Sequence, residues 1–329
     1  MEKRTALITG VTGFVGSHVA RAVIGRGHHV RALARATSDR SRVDDLDIEW
    51  FIGDLDGHET LRQACEGVDW VFHIAGRIKA PTIEAYRHAN VVGTVNLLRA
   101  VQDAAPSIER FVYVSSMAAG GPAQNGQPRT ECDPDAPQTP YGISKREGEQ
   151  AAMSFSGRFP VTAVRPPAVY GPGDTETLKI FKAVAWHLKP IFGRRPLRSS
   201  IVHVSDLTDA ILLAATSPAA AGEMFYVAEE QAYSIEEMVE MIRAAVGTWA
   251  VTIRFPAPMV MGIATVLEWL GSVGGYTPSF NRHKARDFLQ NDWTCSIAKA
   301  KERLGFKPRI PFERGVKQTV EWYRAKGWL

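Results

Sequence analysis

The sequence predicts an α/β protein built on a doubly wound parallel sheet, with a smaller, discontinuous C-terminal domain. Short β-rich runs alternate with amphipathic helical patterns through the first half of the chain, as they do in repeated βαβ units. These runs are almost continuously apolar, which is typical of strands buried on both faces of a sheet. The chain has 329 residues, 45% of them hydrophobic, so it is long enough for one large core or two coupled ones.

Six strands are predicted in the first half, at residues 6–9, 29–33, 49–52, 70–74, 110–115 and 161–165. A helix is predicted between the first two, because the apolar residues at positions 15, 19, 22 and 23 share one helical face. Gly25 and Gly27 are suitable stops for it. Further helices are predicted over residues 86–104 and 141–153.

The pattern changes at Gly171-Pro172-Gly173, where the regular alternation ends. We therefore predict a first domain over residues 1–170, to which residues 201–230 return. Within that return, a helix is expected over 201–215 and a strand over 223–227. Residues 171–200 and 231–329 are predicted to form the second domain, which an amphipathic helix over 234–245 opens.

An apolar stretch over residues 259–267 is interrupted by Gly262 and Thr265 and ended by Glu268. It is too short for the roughly 20 apolar residues that a membrane span requires. Trp269, Leu270, Val273 and Tyr276 follow it. The stretch can pack in the core of the smaller domain, line an apolar pocket or lie on a membrane surface, and the sequence leaves these alternatives open.

Charge and cysteine content exclude several classes of protein. The net charge is +4, and the basic residues are interspersed with acidic ones, so nucleic acid is not expected as a partner. Cys65, Cys132 and Cys295 form neither a CxxC pair nor a Cys/His ligand set, so neither a disulfide framework nor a metal site is expected. The chain enters its first strand without an apolar leader, and we expect a cytoplasmic protein.

A glycine-rich loop joins the first strand to the first helix, with the sequence Thr9-Gly10-Val11-Thr12-Gly13-Phe14-Val15-Gly16. Glycine permits the tight turn and lets the backbone approach a pyrophosphate. The following helix offers free N–H donors and a partial positive charge. Strand, loop and helix in this order predict a dinucleotide site in a Rossmann-type fold.

Several other short segments occur in the same order as the sequence motifs of one protein family. They are Gly53-Asp54-Leu55, His73-Ile74-Ala75-Gly76, Asn90-Val91-Val92-Gly93-Thr94, Arg165-Pro166-Pro167-Ala168-Val169-Tyr170-Gly171 and His203-Val204-Ser205-Asp206. With the TGxxGxxG loop, they resemble the extended short-chain dehydrogenases/reductases over residues 5 to about 230. The resemblance implies cofactor contacts from Gly10, Thr12, Gly13, Phe14, Val15, Gly16, Arg35, Asp54, Leu55, Ala75, Gly76, Lys145 and Pro167.

The end of the second strand predicts which cofactor binds. A carboxylate there suits the ribose 2'-hydroxyl of NAD, but the sequence has Ala34-Arg35. Arg35 can hold the 2'-phosphate of NADP through its planar donors, with Thr37, Ser38 or Arg40 assisting. NADP is therefore favoured. The alternative is NAD, with Arg35 stacked on adenine and Asp39 near the ribose.

Tyr141 and Lys145 lie four positions apart on one face of a predicted helix that Thr139 and Pro140 begin. A tyrosine titrates near pH 10, so a nearby ammonium is needed to stabilise its phenolate at neutral pH. Ser116 follows a strand at the edge where cofactor crevices open, and its hydroxyl can hold a substrate oxygen. We expect Ser116 and Tyr141 to contact substrate.

The resemblance to this family implies that Ser116, Tyr141, Lys145 and Asn90 form the catalytic set. The alternative role of Asn90 is to hold a helix bend through backbone hydrogen bonds. The two long predicted helices, over residues 86–104 and 141–153, correspond to those that pair family members as homodimers.

The surroundings of this set favour one branch of the family. Met117 and Ala118 stand where nucleotide-sugar dehydratases have an Asp-Glu pair, and Pro166-Pro167-Ala168 lacks the asparagine common in epimerases. The chain resembles instead the 3β-hydroxysteroid dehydrogenases and dihydroflavonol reductases. That implies ketone/alcohol chemistry on a bulky hydrophobic substrate.

Two alternatives to this function remain: a nucleotide-sugar epimerase and a non-catalytic NAD(P)-sensing module. Arg194, Arg195 and Arg198 can hold an anionic part of the substrate or form a solvated basic face. Of these three we assign Arg198 to substrate binding.

Overall fold

A computed structural model describes residues 3–124, 126–192, 197–274 and 292–329, together with 282, 285 and 289. The main sheet contains seven parallel strands in the order β11-β6-β5-β4-β1-β2-β3. Its strands are β1 (Thr5–Thr9), β2 (His29–Ala34), β3 (Glu49–Ile52), β4 (Trp70–His73), β5 (Arg110–Val114), β6 (Val161–Arg165) and β11 (Met224–Tyr226). The predicted α/β class is confirmed, and the six predicted strands end within one residue of the observed ends.

The described helices of the first 220 residues are α1 (Phe14–Gly25), α2 (His58–Cys65), α3 (Ile83–Arg87), α4 (Gly93–Ala104), α5 (Met117–Gly120), α6 (Pro140–Met153), α7 (Leu178–Ala185) and α8 (Val204–Thr216). Those after residue 230 are α9 (Ile235–Val246), α10 (Ala257–Gly274), α11 (Ala298–Leu304) and α12 (Phe312–Ala325). None of these described helices is both long and apolar enough to cross a membrane.

Alternate residues of the strands face opposite sides of the main sheet, and each side has its own core. Ala6 and Ile8 of β1 pack with α1, α8 and α11 on one side. Leu7 packs with α2, α4 and α6 on the other. Because both sides are covered, the strands are apolar throughout, and this is why they stand out in the sequence.

Short strands outside the main sheet form three pairs. Strands β7 (Ala168–Tyr170) and β10 (Ile201–His203) are parallel, as are β8 (Leu188–Phe192) and β13 (Val251–Phe255). Strands β9 (Arg198–Ser199) and β12 (Tyr233–Ser234) are antiparallel. A further core contains residues of α7, α9 and α12 and lies apart from the cores of the main sheet. The division of the chain into two domains stays a prediction.

Two predicted helices differ from the structure. The one expected over residues 201–215 begins only at Val204, because residues 201–203 pair with β7 instead. The one expected over residues 86–104 begins at Ile83, where Thr82 accepts a hydrogen bond from the Ala85 N–H. It passes through a π-helical turn, His88–Val92, before α4. The helix predicted over 234–245 is α9, and Ser234 and Glu237 form its capping box.

Candidate active site

The glycine loop forms a tightly closed cradle between β1 and α1. Gly10 has a φ of +78°, a conformation that side chains rarely adopt, and its carbonyl oxygen accepts a 3.0 Å hydrogen bond from the Gly13 N–H. A Cβ on Gly16 would lie 2.1 Å from that carbonyl oxygen, and one on Gly10 would lie 2.7 Å from the backbone nitrogen of Ala75. No side chain caps the start of α1, so its first N–H groups are open to an anion.

A cavity of about 990 Å³ opens along this cradle. It lies where the sheet order reverses between β1 and β4, which is where ligands bind in open α/β sheets. All of the residues predicted to contact the cofactor line this one cavity, and so do Ser116 and Tyr141. Chain segments far apart in sequence therefore meet around a single space.

Tyr141 and Lys145 are brought into the cavity by the first turns of α6. Thr139 caps this helix by accepting a 3.0 Å hydrogen bond from the Gly142 N–H, and Pro140 occupies its first turn. Burial raises the pKa of Tyr141, and a hydrogen bond with Ser116 opposes that rise. The phenol therefore carries its proton at neutral pH and lies beside the serine hydroxyl.

Lys145 lines the cavity, although its side chain is almost fully buried. Its ammonium donates a 2.8 Å hydrogen bond to the carbonyl oxygen of Val114 and lies 4.3 Å from the ring centre of Tyr113. Burial lowers the pKa of Lys145 to about 7, and the charge of Glu149 opposes that change. The amine is thus close to titration at physiological pH.

Two serines follow strand β5 directly, and both line the cavity. Ser116 accepts a 3.2 Å hydrogen bond from the Ala118 N–H and so caps α5. The Ser115 hydroxyl is buried and has no hydrogen-bond partner in the described part of the chain. Of the two serines, Ser116 is the one linked to Tyr141.

Asn90 does not line the cavity. It is buried in the π-helical turn, where its side-chain oxygen accepts a 2.7 Å hydrogen bond from the Arg77 N–H. Its amide nitrogen donates to the Arg77 carbonyl oxygen at 3.1 Å and to the Ser144 hydroxyl at 2.9 Å. Asn90 therefore ties the loop after β4 to α6. These bonds reach neighbouring segments rather than its own helix, so they differ from the helix-bend role weighed for it.

Arg35 lines the far end of the cavity with Ser38 and Arg42. Arg40 does not assist there, because its guanidinium lies 4.2 Å from the ring centre of Trp50. Asp39 accepts a 2.9 Å hydrogen bond from the Ser41 N–H and is not part of the lining. Of the neighbours weighed for Arg35, only Ser38 lines the cavity, and the second cation there is Arg42, which the sequence analysis did not name.

Several charged residues of the cavity were not identified from the sequence. Arg42 lines the wall near Arg35 and donates a 2.7 Å hydrogen bond to the Gly173 carbonyl oxygen. At the opposite wall, Lys79 and Glu176 form a 2.6 Å ion pair between the loop after β4 and the loop before α7. These residues lie on irregular segments, so no periodicity marks them.

Arg165 forms a second unforeseen feature, a buried charge cluster behind α6. Its guanidinium bonds Glu149 at 2.5 and 2.8 Å, and it reaches Asp135 at 2.7 Å and the Tyr226 hydroxyl at 3.0 Å. Glu149 lies one helical turn beyond Lys145. The four-residue spacing is the only sequence signal that connects it with the active site.

A model of the NAD dependent epimerase/dehydratase family matches residues 6–228. The chain belongs to this family. A ceramide reductase of Caulobacter vibrioides is 32% identical over 98% of this chain and 95% of its own length. A 3 beta-hydroxysteroid dehydrogenase/Delta 5-->4-isomerase of Mycobacterium tuberculosis is 29% identical over 96% of this chain and 90% of its own length. These relatives confirm the resemblance inferred from the sequence motifs.

Solved structures and a further relative extend the comparison. The crystal structure of gox2253 superimposes with a TM-score of 0.83 at 31% identity, over 99% of this chain and 100% of that one. A UDP-glucose 4-epimerase of Vibrio cholerae is 28% identical over 97% of this chain and 95% of its own length. The family thus contains both oxidoreductases and epimerases among the relatives of this chain.

The cradle fits the dinucleotide for which the epimerase/dehydratase family is named. Side chains at Gly10 and Gly16 would collide with backbone atoms, so the closed turn depends on glycine. A Cβ on Gly76 would lie 3.3 Å from the Asn90 oxygen and 3.8 Å from the Lys145 nitrogen, so the space beside the Lys145 amine is also kept free. An uncapped helix start and this space suit a pyrophosphate and its attached ribose.

Arg198 lies away from the cavity. It is exposed and donates a 2.6 Å hydrogen bond to the Ala232 carbonyl oxygen, while its backbone N–H bonds the Asp292 carboxylate at 2.9 Å. The structure therefore does not bring Arg198 to this cavity, because on β9 it bonds the neighbouring loops instead. Arg194 and Arg195 lie outside the described residues.

Proposed function

We propose that this chain is an NAD(P)-dependent oxidoreductase of the extended short-chain dehydrogenase/reductase type. It interconverts a ketone and a secondary alcohol on a bulky, largely hydrophobic substrate. One observation carries the proposal: Ser116, Tyr141 and Lys145 line the same cavity as the glycine cradle. A proton donor, an oxygen-binding hydroxyl and a dinucleotide site in one space are the parts that carbonyl reduction requires.

Each of the three residues has a separate role. Tyr141 carries a proton at neutral pH and donates it to the substrate oxygen during reduction. Ser116, already linked to Tyr141, holds that oxygen in place. Lys145 places a titratable amine below them, and its charge lowers the cost of forming the phenolate. The nicotinamide, when bound, supplies or accepts the hydride.

NADP is the proposed cofactor, with NAD as the alternative. The support is the position of Arg35 at the end of β2, with Ser38 and Arg42 lining the same part of the cavity. Two guanidinium groups and a hydroxyl suit a 2'-phosphate.

A hydrophobic ketone is the proposed substrate because the groups needed for other reactions are lacking. Met117, buried at the position where dehydratases carry an acid, cannot transfer a proton. Among the relatives, a ceramide reductase and a 3β-hydroxysteroid dehydrogenase carry names that refer to lipophilic substrates. The chain spans nearly the whole length of both.

Nucleotide-sugar epimerisation is the second candidate, and one observation favours it. Arg77 and Lys79 line the cavity near the catalytic set, where cations can hold a diphosphate. A non-catalytic NAD(P)-sensing module is a third candidate. An intact set of Ser116, Tyr141 and Lys145 weighs against it, because sensing requires no proton donor.

The test is cofactor oxidation followed by absorbance. We expect the purified chain to oxidise NADPH with members of a panel of bulky hydrophobic ketones, and to reduce NADP with the matching alcohols. Interconversion of UDP-glucose and UDP-galactose without turnover of any ketone would reject the proposal in favour of the epimerase. Cofactor binding without either activity would favour the sensing module.

We further propose a cytoplasmic homodimer. Its support is the pair of helical segments α4 and α6 that pack together on one side of the sheet. Val92, at the end of the helical turn just before α4, is an exposed apolar residue. Sedimentation of the purified chain tests the dimer.

A further inference from the structure

Exposed apolar side chains are concentrated in one part of the chain. Thirteen large hydrophobic side chains are well exposed among the described residues, and ten of them lie within residues 186–188 and 249–270. We call these ten the apolar patch: Trp186, Leu188, Trp249, Val251, Ile253, Met259, Ile263, Val266, Trp269 and Leu270. A concentration of this kind marks an interaction surface, because scattered single residues are the usual case.

The helix α10 shows that the patch is patterned. Met259, Ile263, Val266 and Leu270 recur at helical spacing and form one exposed stripe. On another side of the same helix, Val260 and Ala264 are buried in a small cluster that Phe255 joins. Helix α10 is therefore apolar on its exposed side as well as on its buried side, and its exposed side is poorly suited to contact with water.

The other part of the patch is the two-stranded pair β8 and β13. Trp186 and Trp249 stand just before these two strands and are 74% and 66% exposed. His187 stacks on Trp249 with ring centres 4.1 Å apart. Indole rings combine an apolar body with a polar N–H and are enriched where hydrocarbon meets water.

Basic residues outnumber acidic ones along the patch. Residues 182–192 and 249–270 contain Lys182, Lys189 and Arg254, and one acid, Glu268, which pairs with Arg282. Helix α9 partly neutralises the basic residues, since Lys189 pairs with Glu240 at 2.9 Å and Arg254 approaches Glu236 at 3.6 Å. The Arg254 side chain nevertheless remains 62% exposed.

We propose that the apolar patch docks this protein on the surface of a phospholipid bilayer that contains anionic headgroups. Indole rings and an apolar helical stripe can enter the boundary between headgroups and acyl chains, while the cations meet the phosphates. Lys182 and the exposed Arg254 are available to anionic headgroups, whereas the acids that a second copy would bring, Glu236, Glu240 and Glu268, already face cations of their own chain. The proposal concerns attachment alone and does not depend on the reaction catalysed.

Vesicle co-sedimentation of the full chain tests this. The vesicles are phosphatidylcholine alone and phosphatidylcholine mixed with phosphatidylglycerol. We expect the wild-type chain to sediment with the mixed vesicles and more weakly with the neutral ones. Replacing Val266→Ser together with Leu270→Ser removes two residues of the exposed stripe, and the partition coefficient should fall by about tenfold or more.

Matched variants separate docking from damage to the fold. Ile52→Ser removes an equally exposed side chain at the end of β3, outside the patch, and should leave binding unchanged. Arg254→Gln should weaken binding to the mixed vesicles and leave binding to the neutral ones unaffected. If the double variant unfolds, Met259→Ser with Ile263→Ser replaces it, since both lie on the same stripe.

Three results would overturn the proposal. The first is a wild-type chain that stays in the supernatant with both kinds of vesicle. The second is a folded double variant that binds as the wild type does. The third is a wild-type dimer, with no affinity for vesicles, that the double variant breaks apart, because a second copy would then be the occupant of the patch.

Discussion

The ammonium of Lys145 donates a 2.8 Å hydrogen bond to the carbonyl oxygen of Val114. This bond anchors the lysine to the last residue of β5, which Ser115 and Ser116 follow, so α6 and β5 are joined beside the cavity. The lysine is buried there, and burial lowers its pKa to about 7. A single titratable group thus connects the candidate site with the stability of the fold.

Stability should therefore depend on pH through Lys145. Its pKa in the folded chain lies below the ordinary value of 10.5. Between these two values the unfolded chain binds more protons, so this group makes the free energy of unfolding rise as the pH rises above about 7. Over two pH units above about pH 7, the free energy of unfolding of the wild type should rise by on the order of 2 kcal/mol relative to that of Lys145→Met. Chemical denaturation at each pH measures this difference. A pH-independent difference between the two proteins would contradict this.

Gly16→Ala should disrupt the cofactor cradle. The new Cβ would lie 2.1 Å from the Gly10 carbonyl oxygen, so the loop must shift away from its closed form. We expect the dissociation constants of NAD and NADP to rise by about tenfold or more in fluorescence titration. Gly25→Ala is the matched control at the other end of α1, because no atom lies within 4 Å of its added Cβ. Equal effects of the two substitutions would argue against the cradle.

Arg35→Gln should lower the affinity for NADPH and leave that for NADH nearly unchanged. Loss of a charge-assisted contact to a phosphate is worth about 1.5–3 kcal/mol, which corresponds to roughly tenfold to a hundredfold in the dissociation constant. Arg40→Gln serves as the control, since Arg40 stacks on Trp50 outside the cavity lining. If Arg35→Gln weakens both cofactors alike, Arg35 contacts the adenine and the preference for NADP is wrong.

Arg165→Met should strongly destabilise the fold. It leaves the buried Glu149 carboxylate without the cation that bonds it at 2.5 and 2.8 Å. Breaking a buried pair costs about 3–5 kcal/mol, whereas an exposed pair is worth about 1 kcal/mol or less. Lys317→Met, which breaks an exposed pair with Glu313, is the control. A loss of unfolding free energy no larger than that of the control would show that the cluster is not held by this pair.

The sequence predicted the sheet and the cradle well because both depend on local pattern. Buried parallel strands are apolar throughout, and the glycines at positions 10 and 16 are required by close backbone contacts. The four-residue spacing of Tyr141 and Lys145 is likewise a local signal. Each of these features is contained in a short segment.

What the sequence could not predict depends on segments that meet only in the folded chain. Lys79 and Glu176 pair across two irregular loops separated by 97 residues, and nothing near either residue indicates the other. Arg198 was expected at the substrate because of its charge, but short strand pairing carries it away from the cavity. Charge alone does not locate a residue.

The turnover of Tyr141→Phe tests the proposed role of Tyr141 as proton donor. The substitution removes only the hydroxyl to which we assign that role, while the ring remains to fill the space beside Ser116. We expect the rate of NADPH oxidation with an accepted ketone to fall by a factor of roughly 10² to 10⁴, with the affinity for NADPH unchanged. A variant that binds NADPH and reduces the ketone at a rate near that of the wild type would contradict the account.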